Sequence, residues 1–418
     1  MMKLLHVTHQ YRPAIGGAEE YMALISEALA ARGHRVSVYT ANSTDYESWT
    51  GNLPPRETIA GVDVQRFRAI PRRERTWQVL RYGLWRYLEQ PKRRFEPFIL
   101  VGNGPTCPGM FAAIATRGRQ YDLVHLNSLH YAHSAYGYVA ARLAGRSVVV
   151  TPHVHVEQRE TWDVGYLRDI LARADLIFAD TEYERQFHIR QGQDPERVVT
   201  GGVGLRIEEY VFPGQAAARQ RLGIPADAQV VLCLGRQVDY KGLDRVLAAV
   251  ASLQPEFPRA LCLIAGPESE WSQGIMAQYA GAPWIRNLGR VEPDVKLAAL
   301  SAADIMAMPS HGEAFGVTYL ESWLAGRPVI GLAKGAVQAL IANGKDGFLV
   351  PPGDDAALTQ AVRCYLENGA RVAEMGAAGR QKVLEQYTLD RIVDRIEGAC
   401  LRLVEAKRRR HARQPAQS

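Results

Sequence analysis

Cysteine is scarce. Five thiols (Cys107, Cys233, Cys262, Cys364 and Cys400) are scattered over 418 residues with no C-x-x-C pair. No disulfide framework is there to be read, small buried hydrophobes are the default, and the usage suits a reducing cytoplasm. Long apolar runs are missing as well: none reaches the ~18 residues of a spanning helix. The opening M-M-K-L-L-H-V-T is a short strand pattern with no h-region behind it, so no secretory signal is expected. The first glycine loop is not G-x-G-x-x-G, and the second strand ends Tyr39-Thr40 with no acid, which weakens a dinucleotide reading. No D-x-D run has a strand-end setting, and His153 and His155 stand two apart with no third ligand in pattern, so no essential metal or other cofactor is expected. Net charge is +6, but residues 71–97 carry eight Lys or Arg against three Glu, and residues 401–418 carry six against one. The rest of the chain is therefore slightly acidic, which argues against a surface built for nucleic acid.

What is present is alternation. Lys3–Thr8 reads as a strand, Gly16-Gly17-Ala18-Glu19 as a glycine loop opening a helix to about Arg32, and Arg35–Thr40 as the next strand. Strand, loop, helix and strand make a βαβ unit. The pattern continues through Tyr121–Leu126, Ser147–Thr151 and Asp175–Asp180, pauses at the Phe212-Pro213-Gly214 linker, and restarts at Gln229. Two α/β domains are expected, residues 1–211 and 212–387, followed by an amphipathic helix over 388–406 and a basic disordered tail over 407–418.

The second half is organised around Pro309–Gly331, P-S-H-G-E-A-F-G-V-T-Y-L-E-S-W-L-A-G-R-P-V-I-G. Buried strands are expected on both sides, and Phe315, Tyr319, Leu320 and Trp323 recur at helical spacing between them. A strand that ends in a glycine turn and opens a helix aims free backbone N–H groups at the strand's edge, here from Phe315, Gly316 and Val317, where the helix dipole favours an anion. Glu313 precedes the helix and Glu321 lies inside it, ~12 Å further along at 1.5 Å per residue. Two carboxylates flanking an anion suit a sugar, two phosphates and a ribose. The plain alternative is a pair of surface carboxylates. Arg236 and Lys241 flank another strand-to-helix turn, G-R-x(4)-K-G, and two cations there can neutralise a diphosphate.

The E-A-F-G-V-T-Y-L-E run resembles the E-x(7)-E motif of the retaining glycosyltransferases of family four, the group 1 type with the GT-B fold. P-A-I-G-G-A-E-E, His153 after its strand, and G-R-x(4)-K-G resemble further landmarks of that family, in the same order. The resemblance spans roughly residues 3–400. It implies two Rossmann-like domains facing across a cleft, acceptor side first and nucleotide-sugar side second, with the last helix crossing back to the first domain. It implies that Glu313 contacts the donor sugar and Glu321 the ribose, and that Gly16 and Gly17 face the donor phosphates. It places His153 at the sugar, Arg236 and Lys241 on the diphosphate, and Gly266 near the base. His130 and His155 are candidates for an acceptor pocket. Where the family usually has N-G-V-D this chain has Gly202-Val203-Gly204, so no polar contact is expected from that turn.

The function expected is transfer of a sugar from a UDP- or GDP-sugar to a sugar or lipid-linked acceptor hydroxyl, with retention, in polysaccharide, glycolipid or other glycoconjugate synthesis. The alternatives are a sugar-nucleotide epimerase of the same fold and a catalytically silent nucleotide-sugar binder. The basic segments leave two readings open. In residues 71–97, Trp77, Leu80, Leu84, Trp85 and Leu88 form a stripe with arginines opposite. Such a helix can lie on an anionic membrane surface, giving a peripheral position at the inner face, or it can pack on its own sheet with a solvated basic side.

Overall fold

The computed structural model describes residues 1–413 except Ile15, Glu157, Glu160 and Thr161. The chain forms two compact units. The first is Met1–Gly204 together with the chain from Leu389 onward, and the second is Leu205–Thr388.

The first unit is built on an eight-stranded sheet. Its strands are β1 (Lys3–Val7), β2 (Arg35–Ala41), β3 (Arg56–Ile59), β4 (Val62–Phe67), β5 (Leu123–Asn127), β6 (Ser147–Thr151), β7 (Leu176–Ala179) and β8 (Val198–Thr200). Their order is β3-β4-β2-β1-β5-β6-β7-β8, parallel except for the β3–β4 pair. β5, β6 and β7 are buried at every position because helices cover both faces, hence their mostly apolar spelling, broken by His125 and Asn127 in β5 and by the terminal Ser147 and Thr151 of β6. The second unit has β9 (Gln229–Leu234), β10 (Ala260–Ala265), β11 (Ile285–Asn287), β12 (Ile305–Met308), β13 (Val329–Leu332) and β14 (Gly347–Val350), all parallel, in the order β11-β10-β9-β12-β13-β14. In each sheet the starting strand is flanked by strands reached in opposite directions, which opens a crevice at the strand ends.

The unit boundary falls at Gly204, not at residue 211. Leu205 bonds to Tyr387, and Tyr210 to Glu321, which ties 205–211 into the second unit. The turn before it needs small residues. A Cβ on Gly204 would lie 2.9 Å from the Leu389 backbone, and Gly202 holds φ 83°. The final helix runs Leu389–Arg413, so most of the expected disordered tail is helical, and residues 414–418 lie outside the described residues. Side-chain anchors extend it: Lys407 reaches Ser147 at 3.2 Å and Arg408 pairs with Asp122 at 2.9 Å. Its apolar stripe of Ile392, Val393, Ile396 and Cys400 is buried with Tyr21, Met22 and Ile25 of the Gly17–Ala31 helix, and Arg32 pairs with Asp394 and Glu397 at 2.7 Å each.

The Glu74–Glu89 helix departs from its expected stripe. Leu80 is buried, whereas Trp85 is 56% and Leu88 41% exposed. Its inner face is the Leu80, Gly83 and Tyr87 line, and a Cβ on Gly83 would meet Phe98 at 2.8 Å, so the neighbouring Glu96–Asn103 helix packs there. Among the described residues no single helix is long and apolar enough to cross a membrane; one pair, Arg93–Asn103 with Pro108–Gln120, passes by length and composition but is bent by 102°. All five cysteines are free thiols.

Candidate active site

In the second unit the crevice lies between the ends of β9 and β12. β9 delivers Gly235 and Arg236, and β12 delivers Pro309 and the loop to Glu313. The two loops are held together by backbone: His311 N–H donates to the Tyr240 carbonyl at 2.7 Å. Gly242, at φ 76°, packs so closely that a Cβ would sit 2.9 Å from Pro309. That closeness brings Lys241 to Glu313, Nζ to Oε1, at 2.5 Å. Arg236 stays exposed, with Nη2 donating to the Tyr240 hydroxyl at 3.1 Å.

The helix after the loop is Val317–Leu324, capped by Gly316 at φ 95°. Tyr319, Leu320 and Trp323 are fully buried and Phe315 nearly so, as the spacing requires. Tyr319 Oη donates to the Met308 carbonyl at 2.5 Å and Trp323 Nε1 to Asp346 O at 2.7 Å, which seat the helix against its strand. Of its first-turn N–H groups, that of Tyr319 donates to the Gly316 carbonyl at 3.0 Å, and those of Val317 and Thr318 have no acceptor within the helix. Glu313 precedes the helix by a non-helical bend, so only the step from Val317 to Glu321 is helical, about 6 Å of axial rise, and the helical rise cannot be carried back to Glu313. Glu321 is buried; Oε1 accepts from Lys296 Nζ at 2.7 Å and from Tyr210 Oη at 2.8 Å. Nothing in the motif pointed to Lys296 or Tyr210, which come from a distant helix and from the end of the stretch assigned to the first domain.

Gly266 ends β10 with φ 146°, and a Cβ there would lie 1.9 Å from the Gly235 carbonyl oxygen. Only glycine lets the ends of β9 and β10 approach this closely. Gln237, buried beside it, donates to Gly266 O at 2.9 Å and to Asn287 Oδ1 at 3.0 Å.

The first unit has its own crevice, at the ends of β1 and β5. His153 follows β6 at φ 52°. Its Nδ1 lies 2.8 Å from Asp180 Oδ2 and its Nε2 2.8 Å from Asn127 Oδ1. The Asn127 amide nitrogen donates to the Ala18 carbonyl at 3.1 Å, so its oxygen must face the histidine, and Nε2 must carry a proton. Burial alone would lower the pKa of His153, but the charge and hydrogen bond of Asp180 outweigh it and raise it above the ordinary value. His153 is thus an imidazolium with both nitrogens engaged inside its own unit. His9 Nε2 meets Glu19 Oε1 at 2.8 Å, and its ring stacks on Tyr131 with centroids 4.2 Å apart. Burial opposes the Glu19 charge, but His9 outweighs it and the carboxyl lies below its usual range. His130 packs on Tyr131 and burial pushes it down to about 3, with the charges of His9, His155 and His153 adding to the effect. His130 is therefore neutral, and His155 is near it. Gly16 caps the Gly17–Ala31 helix in extended conformation beneath the Glu19 carboxylate, and a Cβ on Gly17 would meet nothing within 4 Å. Asn127 and Asp180 went unnamed as site residues, although both stand at strand ends and the rule that selected His153 selects them too.

Two doubly wound units, one bearing cations, a helix start and carboxylates at its switch point, define the GT-B architecture. The sequence agrees. The model of glycosyl transferases group 1 matches residues 214–382 and that of the glycosyl transferase 4-like domain residues 16–204. The chain belongs to the 4-like group 1 glycosyltransferases. It is 27% identical over 399 residues to the D-inositol 3-phosphate glycosyltransferase of Geodermatophilus obscurus, covering 92% of this chain and 84% of that one. The Thermomonospora curvata enzyme of the same name is 29% identical over 412 residues, covering 91% and 89%. Among solved structures, Anabaena HepE in complex with UDP aligns with a TM-score of 0.73 at 20% identity over 96% of this chain and all of that one. Sucrose-phosphate synthase from Thermosynechococcus elongatus aligns with a TM-score of 0.71 at 22% identity over 99% and 100%.

Proposed function

We propose that this glycosyltransferase moves a sugar from a nucleotide diphosphate donor to an acceptor hydroxyl with retention of configuration, without a metal ion. The observation that carries this is the convergence of Arg236, Lys241, Glu313 and the start of the Val317–Leu324 helix on the β9/β12 switch point. As the bond from the sugar's C1 to the diphosphate breaks, negative charge builds on the leaving phosphate. Arg236, Lys241 and the N–H groups of Phe315, Gly316 and Val317 stabilise that charge. The acceptor oxygen bonds to C1 on the face the phosphate leaves, and its proton passes to the departing phosphate, so no protein nucleophile is needed. Lys241 exchanges Glu313 for phosphate when donor binds, which frees Glu313 to hold sugar hydroxyls and balance positive charge at C1. Glu321, fixed by Lys296 and Tyr210, takes the ribose, and Gly266 and Gln237 border the base. Gly16 and Gly17 present backbone to the donor phosphates. His153 acts at the donor sugar as a fixed positive charge set by Asp180. His130 and His155 line the acceptor side.

HepE has been solved with UDP and with UDP-glucose, which favours a UDP-sugar, and the curated relatives carry names of inositol phosphate glycosyltransferases, which favours a hydroxyl-rich acceptor. A thermal-shift panel of nucleotide sugars tests the donor half. Ligand at ~100 times its dissociation constant adds about 2.7 kcal/mol. Stabilisation by one donor, weakened in Glu321→Ala, supports the reading, and no stabilisation by any donor in folded protein refutes it.

A further inference from the structure

Large exposed hydrophobic residues are unevenly spread. Among the described residues, seven of the twelve (Tyr82, Trp85, Leu88, Phe98, Val101, Val139 and Leu143) belong to three helices, Glu74–Glu89, Glu96–Asn103 and Ala132–Leu143. The first two pack on each other and the second also meets the third, and surface rings of the first two touch: Tyr82 meets Phe98 at 5.7 Å and Trp85 at 6.4 Å. Beside them opens a cavity of about 530 Å³ whose wall includes Pro97, Leu100, Phe111, Tyr136, Val139 and Ile170. Two polar atoms in its lining residues, Tyr166 Oη and Glu96 Oε1, are buried without hydrogen-bond partners, while Arg93 and Arg173 stand at its edge. Around the patch Arg75, Arg81, Lys92 and Arg94 are exposed. Apolar patches of this kind mark interaction surfaces.

We infer that this face docks on an anionic lipid bilayer, with the cavity taking the apolar end of one lipid. Charge decides the occupant. Tyr and Trp at the edge of an apolar patch, ringed by arginine and lysine, match the headgroup level of a membrane with negative lipids. The cavity's apolar wall with two unpartnered polar atoms suits a chain that carries an ester or hydroxyl. The inference goes beyond the transferase reading and stands apart from it, since lipid binding is measured without donor or turnover.

The test is flotation of the full chain with vesicles of phosphatidylcholine alone and of phosphatidylcholine with phosphatidylglycerol. Binding to the mixed vesicles only, weakening as salt rises above about 0.1 M, is expected. Neutralising each of Arg81 and Lys92 to Gln should weaken it about five-fold, and Trp85→Ser with Phe98→Ser by more than about ten-fold. Brominated lipid should quench a fluorescence component that Trp85→Phe removes. Monomeric short-chain phosphatidylglycerol should raise the melting temperature, and Ala135→Trp, which fills the cavity, should abolish that rise. Equal binding to both vesicle types, binding unchanged in the folded variants, or a dimer in light scattering that Trp85→Ser dissociates would overturn the inference. Should the double serine variant not fold, Tyr82→Ser and the charge variants carry the same comparison.

Discussion

The two units share a core strand order, β4-β2-β1-β5-β6-β7 in one and β11-β10-β9-β12-β13-β14 in the other, and use its crevice differently. At the β9/β12 switch point the charges are loosely committed: Arg236 is exposed and bonds the Tyr240 phenol, and Lys241 holds a Glu313 that a phosphate can displace. At the β1/β5 switch point the charged groups are paired with one another, His9 with Glu19 and His153 with Asp180 and Asn127, although His9 Nδ1 and Asp180 Oδ1 are buried without a hydrogen-bond partner. The sheet order decides where a ligand site can be, and the side chains at the strand ends decide whether that site is poised for an anion or pre-tied.

The sharpest way to break this contrast is at the loosely committed site. Arg236→Ala and Lys241→Ala should each lower kcat by about a hundred- to a thousand-fold, the range for losing one donor to developing charge. Donor KM should move much less, because the charge appears on the leaving phosphate. Steady-state kinetics in both substrates would decide it; equal losses in binding and rate would mean the cations only hold the ground state.

The pre-tied site should answer in stability. Asp180→Asn removes one partner of a buried pair, at a cost of about 3 kcal/mol. Its pH dependence has a fixed sign. The His153 pKa is raised above its ordinary 6.5, so the stabilisation is fully present below about that pH and fades as pH climbs through the folded value. Denaturant midpoints for the parent and Asp180→Asn should therefore differ most below the ordinary histidine pKa and converge as pH climbs through the raised folded value. A gap that widens with pH would mean the imidazolium assignment is wrong.

Much of this was legible in the chain. Alternating strands and helices and the Val317–Leu324 helix with its buried face follow from period and turn residues, whereas the meeting of G-R-x(4)-K-G with the Pro309 loop was implied only by the family resemblance. What was not legible depends on contacts far apart in sequence. The stretch from Glu313 to Glu321 was read as helical throughout because spacing does not show where a bend gives way to helix, which starts only at Val317. Lys296 and Tyr210 could not be assigned to Glu321 without the packing. The Glu74–Glu89 stripe looked like one face, but Gly83 turns the helix so that Trp85 points out. Gly266 looked uninformative until its contact with Gly235 gave it a reason.

Gly266 and Gly17 sharpen the comparison at the level of single atoms. In Gly266→Ala a methyl would have to share space with the Gly235 carbonyl at a backbone angle that disfavours side chains, so a loss above about 2 kcal/mol is expected. Thermal melting checks it.

Gly17→Ala should have the smallest effect on folding. Its Cβ position is open, its φ is not left-handed, and it opens a helix where alanine is favoured by roughly 0.5–1 kcal/mol over glycine. Stability alone gives no reason for a glycine there. If the donor phosphates approach this backbone, the added methyl stands in their path, so kcat/KM for donor should fall while the melting temperature holds or rises. Full activity in a variant at least as stable as the parent would remove Gly17 from the donor site and leave the first unit's contribution to its histidines.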